Sequence, residues 1–148
     1  MIENRFTSAD AVEAAFYSAF AATDLAGMAR VWSSGSEVRC IHPGGDLLTG
    51  TTAVLESWRQ ILSGAAAPTV RHRLLHRTAA ADLSIHLVEE RIGPGGAADG
   101  QLTRVLATNV YRDTPEGWRM LLHHATLPLV EESRKRGQAQ APDAARLH

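Results

Sequence analysis

A chain of 148 residues is long enough for one domain and buries about two-thirds of the surface its unfolded form exposes. Apolar residues make up 45% and charged residues 21%, and the formal net charge of −1 leaves no broad basic face for nucleic acid or anionic lipid. Cys40 is the single cysteine, so no internal disulfide can form; residues 1–7 contain Glu3 and Arg5 rather than a signal-type apolar stretch, no apolar run approaches the roughly 20 residues of a membrane span, and a cytoplasmic location is expected.

Thr7-Ser8-Ala9-Asp10 reads as a capping box, and Val12, Phe16 and Phe20 recur at the spacing of one helical face. Thr23-Asp24 offers a fresh N-cap for a shorter helix carrying Leu25, Met28, Val31 and Trp32, which Ser33-Ser34-Gly35-Ser36 ends. Glu37 to Ile41 reads as a short strand stopped by His42-Pro43-Gly44-Gly45, with Leu47-Leu48 placed to pair back on it. Thr51 or Thr52 caps a third helix bearing Val54, Leu55, Trp58, Ile61 and Leu62, with Gly64 as its stop. Helices are thus expected over most of residues 8–31 and 51–63.

After Pro68 the pattern changes to strands: Thr69 to Ala79, Leu83 to Ile92, Leu102 to Asp113 and Trp118 to Leu127. Short Gly- and Pro-rich connections between them, among them Thr114-Pro115-Glu116-Gly117, make the neighbours antiparallel. Helices followed by a run of strands give an α+β domain over residues 1–130. Residues 131–148, with Arg134-Lys135-Arg136 as a solvated charge run, are polar and expected to be a disordered tail. Strand alternation puts Thr103, Val105, Ala107, Asn109 and Tyr111 on one face, opposite Arg104, Leu106, Thr108, Val110 and Arg112. On the first long strand Val70, His72, Leu74 and His76 share a face free of arginine, which should be the buried one.

Phe16-Tyr17-Ser18-Ala19-Phe20, Asp24 to Met28, Val31-Trp32, Ile41 to Gly45, Gly50-Thr51 leading to Trp58, and Gly117-Trp118-Arg119 through His123-His124 together resemble the SnoaL-like branch of the nuclear transport factor 2 superfamily. The resemblance covers about residues 8–128 and implies a cone: helices over a strongly curved sheet, a cavity for a small apolar ligand, and dimers through the sheet's outer face. It implies no single chemistry, since its relatives include ketosteroid isomerases, polyketide cyclases, dehydratases, hydrolases and non-catalytic binding domains.

In the isomerase branch a general-base aspartate precedes a proline after the first strand; here that position is His42, and histidine also serves as a base near neutral pH. The acidic oxyanion donor falls at Asn109, whose amide donates without any pKa tuning, and the tyrosine donor falls at Phe16, with Tyr17 next along. Two of three groups have changed type, so steroid isomerisation by the familiar route is not expected. The family's inward positions on the last strand translate to Leu122, His124 and Thr126, leaving His123 outward. Trp32 and Trp58 are candidate pocket walls, with Tyr17 near the rim and His72 as a further lining residue; Cys40 reads as a small buried hydrophobe. His42, His72 and His124 can converge in a cone, but no metal-type spacing or carboxylate partner accompanies them, and neither metal nor cofactor is expected.

Two functions fit this reading. One is acid/base isomerase, cyclase or lyase chemistry on an apolar carbonyl-bearing metabolite, through His42 with Asn109 and His124 positioning an oxyanion. The other is a non-catalytic ligand-binding or dimeric interaction domain. The outer strip of Leu106, Thr108 and Val110 beside Arg104 predicts a two-fold homodimer through the sheet face.

Overall fold

A computed structural model describes residues 5–64 and 66–129. The polar tail expected over 131–148 lies outside the described residues. Helices α1 (Ala9–Ala22), α2 (Leu25–Val31) and α3 (Thr51–Leu62) cover one face of a six-stranded curved sheet, β1 (Arg39–Ile41), β2 (Leu48–Thr49), β3 (Thr69–Ala79), β4 (Leu83–Gly93), β5 (Thr103–Thr114) and β6 (Gly117–Thr126). The strand order is β2-β1-β6-β5-β4-β3, and every pair is antiparallel except β1 with β6, which run parallel. This is the α+β cone expected from the sequence, an open sheet wrapped around helices. Among the described residues no helix is long and apolar enough to cross a membrane.

The helix ends follow local chemistry, with one shift from expectation. Ser8 caps α1 by accepting from the Ala11 amide, and Asp24 caps α2 by accepting from Gly27. Gly50 rather than a threonine precedes α3; the Thr51 hydroxyl is turned away, bonding Ser33 and Gly35 instead. Val12, Phe16, Phe20, Met28, Val31, Val54, Trp58 and Tyr111 form the core between the layers, all buried. At Gly117 φ is +104° and an added Cβ would stand 2.8 Å from the Phe6 carbonyl, which accepts the Trp118 amide. Gly117→Ala is therefore expected to lower stability by about 2 kcal/mol in urea unfolding.

Two β-bulges decide which side chains face inward. Alternation holds on β5, where Val105, Ala107, Asn109 and Tyr111 are buried. On β6 the pairing skips Leu121 between Val110 and Tyr111, so the parity of Trp118 and Met120 reverses beyond it. His123 and Ala125 consequently turn inward and are 2% exposed each, while Leu122, His124 and Thr126 take the outer face, the reverse of the expected assignment. On β3 the shift between Leu74 and His76 likewise sends His76 outward and brings Arg77 to the helix side, where it meets Asp10 at 2.6 Å.

Candidate functional site

Four elements send polar groups into the interior. Tyr17 comes from α1, Glu90 from β4, Asn109 from β5 and His123 from β6, each no more than 3% exposed. The Tyr17 hydroxyl donates to Glu90 Oε2 at 2.6 Å, and Asn109 Nδ2 donates to that hydroxyl at 3.0 Å. Asn109 Oδ1 lies 2.6 Å from His123 Nδ1 and must accept, so the ring proton sits on Nδ1 and Nε2 presents a lone pair, 3.9 Å from Glu90 Oε2. The chain of contacts fixes every orientation in it.

Burial sets the protonation of these groups. Desolvation, with a smaller push from Glu13, raises the Glu90 carboxyl to about 7 despite the Tyr17 hydrogen bond. Desolvation, then the neighbouring Glu90 charge, holds the Tyr17 phenol well above its ordinary range. The same burial, reinforced by His42 and His124, depresses His123 to about 3, so its imidazole stays neutral. Glu90 is thus a buried acid that changes charge near neutral pH, a property concentrated at functional sites.

His42 stands where β1 runs out, half-buried, its ring 5.0 Å from Trp58 and 6.5 Å from His123. Its Nε2 is 2.9 Å from Ser57 Oγ on α3. That hydroxyl donates to the Val54 carbonyl at 2.6 Å, so it accepts from His42, and the His42 proton lies on Nε2. Nδ1 is left with a lone pair and no hydrogen-bond partner among the described residues. Burial lowers the His42 pKa, which keeps that lone pair available at neutral pH. Cys40, fully buried and 3.7 Å from His42 Nε2, has its thiol pushed up to about 12, chiefly by desolvation. Iodoacetamide at pH 8 should therefore leave Cys40 unlabelled in the folded protein and label it after unfolding, as mass spectrometry would read.

Aromatic rings close the space between these groups. Phe16 meets Trp58 at 5.3 Å and His123 at 4.9 Å, and Trp58 meets His123 at 5.9 Å. Trp32 packs on Phe16 at 6.4 Å. Both indole N–H groups, Trp32 Nε1 and Trp58 Nε1, are buried without a hydrogen-bond partner among the described residues; that of Trp58 is close enough to the Cys40 sulfur to favour its thiolate slightly. His72 lies flat on Tyr17 at 4.2 Å, its outer side in solvent.

His42, Asn109, Tyr17, Trp58 and His72 are thus brought to one region by ring contacts and hydrogen bonds. Tyr17 sits inside rather than at a rim, because both Phe16 and Tyr17 fall on the buried arc of α1. His124 does not join them; His123 takes the interior position. Glu90 was not singled out from the sequence, although strand alternation places it with His86, Val88 and Ile92, an apolar-flanked acid that signals a buried role. Among the described residues no group of three or more His, Cys, Asp or Glu side chains is arranged to hold a metal ion.

Known proteins share this architecture. A Thiobacillus denitrificans structure, provisionally described as a calcium/calmodulin-dependent protein kinase type II association domain, is 38% identical with a TM-score of 0.77, covering 83% of this chain and 97% of that one. A Streptomyces avermitilis structure, provisionally described as a dehydratase of the nuclear transport factor 2-like family, is 29% identical with a TM-score of 0.69, covering 78% and 90%. A Parabacteroides distasonis structure, provisionally described as a ketosteroid isomerase, shares the fold at 14% identity, with a TM-score of 0.65 over 85% of this chain and 98% of that one. Among curated sequences, the F-box protein SKIP8 of Arabidopsis thaliana is 29% identical over 113 residues, 73% of this chain but 44% of that protein, so the match spans less than half of its length. The model of the SnoaL-like domain matches residues 10–130, from the first turn of α1 past the end of β6, and the chain belongs to that family.

Proposed function

We propose that this protein is an acid/base catalyst, of the isomerase, cyclase or lyase kind, acting on an apolar carbonyl-bearing metabolite between the helices and the inner face of the sheet. The observation that carries this reading is Glu90, a buried carboxyl raised to about 7 and joined to the Tyr17 hydroxyl. His42 Nδ1 removes a proton from the carbon beside the carbonyl. Tyr17 turns its hydroxyl proton from Glu90 to the oxygen that gains charge while the Glu90 acid donates to Tyr17 in its place, and the Trp58 N–H, without a partner among the described residues, is a further donor. Because the Trp58, Phe16 and His123 rings touch, the ligand enters by parting Trp58 from the half-buried His42. The dehydratase description of the Streptomyces neighbour supports chemistry of this class.

The test is hydrogen exchange at the α-carbon of a panel of small ketones in deuterium oxide, followed by proton NMR. Wild type is expected to accelerate exchange, and His42→Ala to lose about 10²- to 10⁴-fold of that acceleration. No acceleration by wild type for any ketone, or an undiminished rate in His42→Ala, would remove the reading.

Assembly belongs to the same proposal. The outer face carries Leu75 and Leu87, 44% and 42% exposed, around a cleft of about 270 Å³ shared with Leu106, Thr108, His124 and Thr126. We infer a two-fold homodimer that buries this strip, and the likeness to the Thiobacillus association domain supports it. Leu87→Arg is expected to convert a dimer to a monomer in light scattering at micromolar concentration; a monomeric wild type would count against the dimer.

A further inference from the structure

A second buried polar cluster lies under the first turns of α1, apart from the groups just described. Glu13 Oε1 accepts the Tyr111 hydroxyl at 2.7 Å and lies 2.9 Å from His86 Nδ1. His86 Nε2 lies 2.9 Å from Ser84 Oγ, two residues earlier on β4 and on the same inward face. Glu13, Ser84 and His86 are 6%, 3% and 0% exposed. Since Oε1 already accepts from Tyr111, it accepts from the ring as well, so the His86 proton sits on Nδ1 and Nε2 offers its lone pair to the Ser84 hydroxyl. Asp10 Oδ1 is 4.0 Å from the same Nε2, beyond hydrogen-bond reach, and is occupied by Arg77 at 2.6 Å.

Carboxylate, imidazole and hydroxyl in this order, each within hydrogen-bond reach of the next, are the arrangement that makes a serine nucleophilic. Ser84 also opens on a cleft of about 240 Å³, walled by Ser8, Ala9, Asp10, Arg77 and Trp118. The Ala9 and Asp10 amides there belong to the first turn of α1 and have no intrahelical partner, and the Arg77 guanidinium stands beside them. A negative charge forming in the cleft is thus met by the free amides of a helix N-terminus, beside the paired Arg77 and Asp10.

We propose that Ser84, His86 and Glu13 form an acyl-transfer site that hydrolyses short-chain carboxylic esters bound between the first turn of α1 and the β3–β4 hairpin. Ser84 Oγ attacks the ester carbonyl, its proton passes to His86 Nε2, and the carbonyl electron pair moves onto oxygen. Collapse expels the alcohol, which takes the proton from His86. Water then repeats the sequence on the acyl-serine, releasing the acid and restoring the hydroxyl. Glu13 holds the His86 tautomer throughout, and Tyr111 fixes Glu13. A cleft of about 240 Å³ admits an acyl chain of only a few carbons.

The test uses two probes on the full chain. Diisopropyl fluorophosphate, followed by peptide mapping, is expected to leave one adduct, on Ser84; p-nitrophenyl acetate is expected to be hydrolysed with a loss of about 10³-fold or more in Ser84→Ala. Wild type left unmodified at Ser84 by excess probe overturns the proposal, a result that does not depend on any variant folding. Hydrolysis by a folded Ser84→Ala at the wild-type rate overturns it equally.

Discussion

Glu90→Gln is expected to make the protein about 3 kcal/mol more stable than wild type at pH 8 while changing its stability little at pH 4. The folded carboxyl titrates at about 7 and the unfolded one near 4.5. Between those values the folded state keeps a proton that the unfolded chain has released. The Glu90 contribution to stability therefore falls as pH rises from about 4.5 to 7, by about 1.4 kcal/mol per pH unit. Glutamine copies the neutral acid: its carbonyl accepts Tyr17, with no charge to desolvate. His123 gives the opposite slope, because its folded value of about 3 lies below the ordinary 6.5, and its contribution is lost as pH falls from 6.5 towards 3. In wild type the two slopes offset each other from about pH 4.5 to 6.5; in Glu90→Gln the rising His123 slope stands alone. Urea unfolding across pH 4 to 8 reads both effects, and an equal difference between the two proteins at every pH would disprove the buried-acid assignment.

Asn109→Leu is expected to destabilise the protein by about 4 kcal/mol without opening a cavity, since leucine has the same number of side-chain heavy atoms and the same branching as asparagine. Asn109 is 0% exposed and spends both ends of its amide: Nδ2 on Tyr17 and Oδ1 on His123. Leucine strands the His123 Nδ1 proton completely and leaves the Tyr17 oxygen with no donor, each at about 1–3 kcal/mol. In a Tyr17→Phe background the same change should be milder by about 1 kcal/mol, because one of the two partners is already gone. Additive losses in that cycle would mean that the Asn109–Tyr17 bond contributes nothing to stability.

The helical layer was legible because apolar spacing and caps act within one turn, as Val12, Phe16 and Phe20 show. The antiparallel run of β3 to β6 followed from short connections, whereas the parallel docking of β1 on β6 had no local signal; on β5 alternation sufficed to place Asn109 and Tyr111 inside. The site was legible only in part. A β-bulge adds one residue without any distinctive residue type at Leu121 or Leu75, so His124 and His76 were assigned to the wrong face of otherwise correct strands. His42 was found through its turn, but its tautomer depends on Ser57, fifteen residues away on a helix, and no local pattern specifies that contact. Glu90 and the Glu13–His86 pair were missed for a related reason: acids are read as surface residues unless the partners that neutralise them are known, and here those partners are 73 residues distant.

The polar side of α1 has a consequence for how the chain acquires its structure during synthesis. Every hydrogen-bonded partner of Glu13 and Tyr17 lies far downstream: 73 residues to His86 and Glu90, 92 to Asn109 and 98 to Tyr111. When α1 leaves the ribosome none of them exists, so the helix carries an acid and a phenol that it cannot bury, on the same arc as Phe16 and Phe20. The parallel docking of β1 on β6 imposes the same wait on His42, whose strand has no long neighbour until residues 122–124 have been made. The helical layer is therefore a late folder despite being synthesised before the long strands, with its aromatic face open to chaperones until β6 closes the sheet.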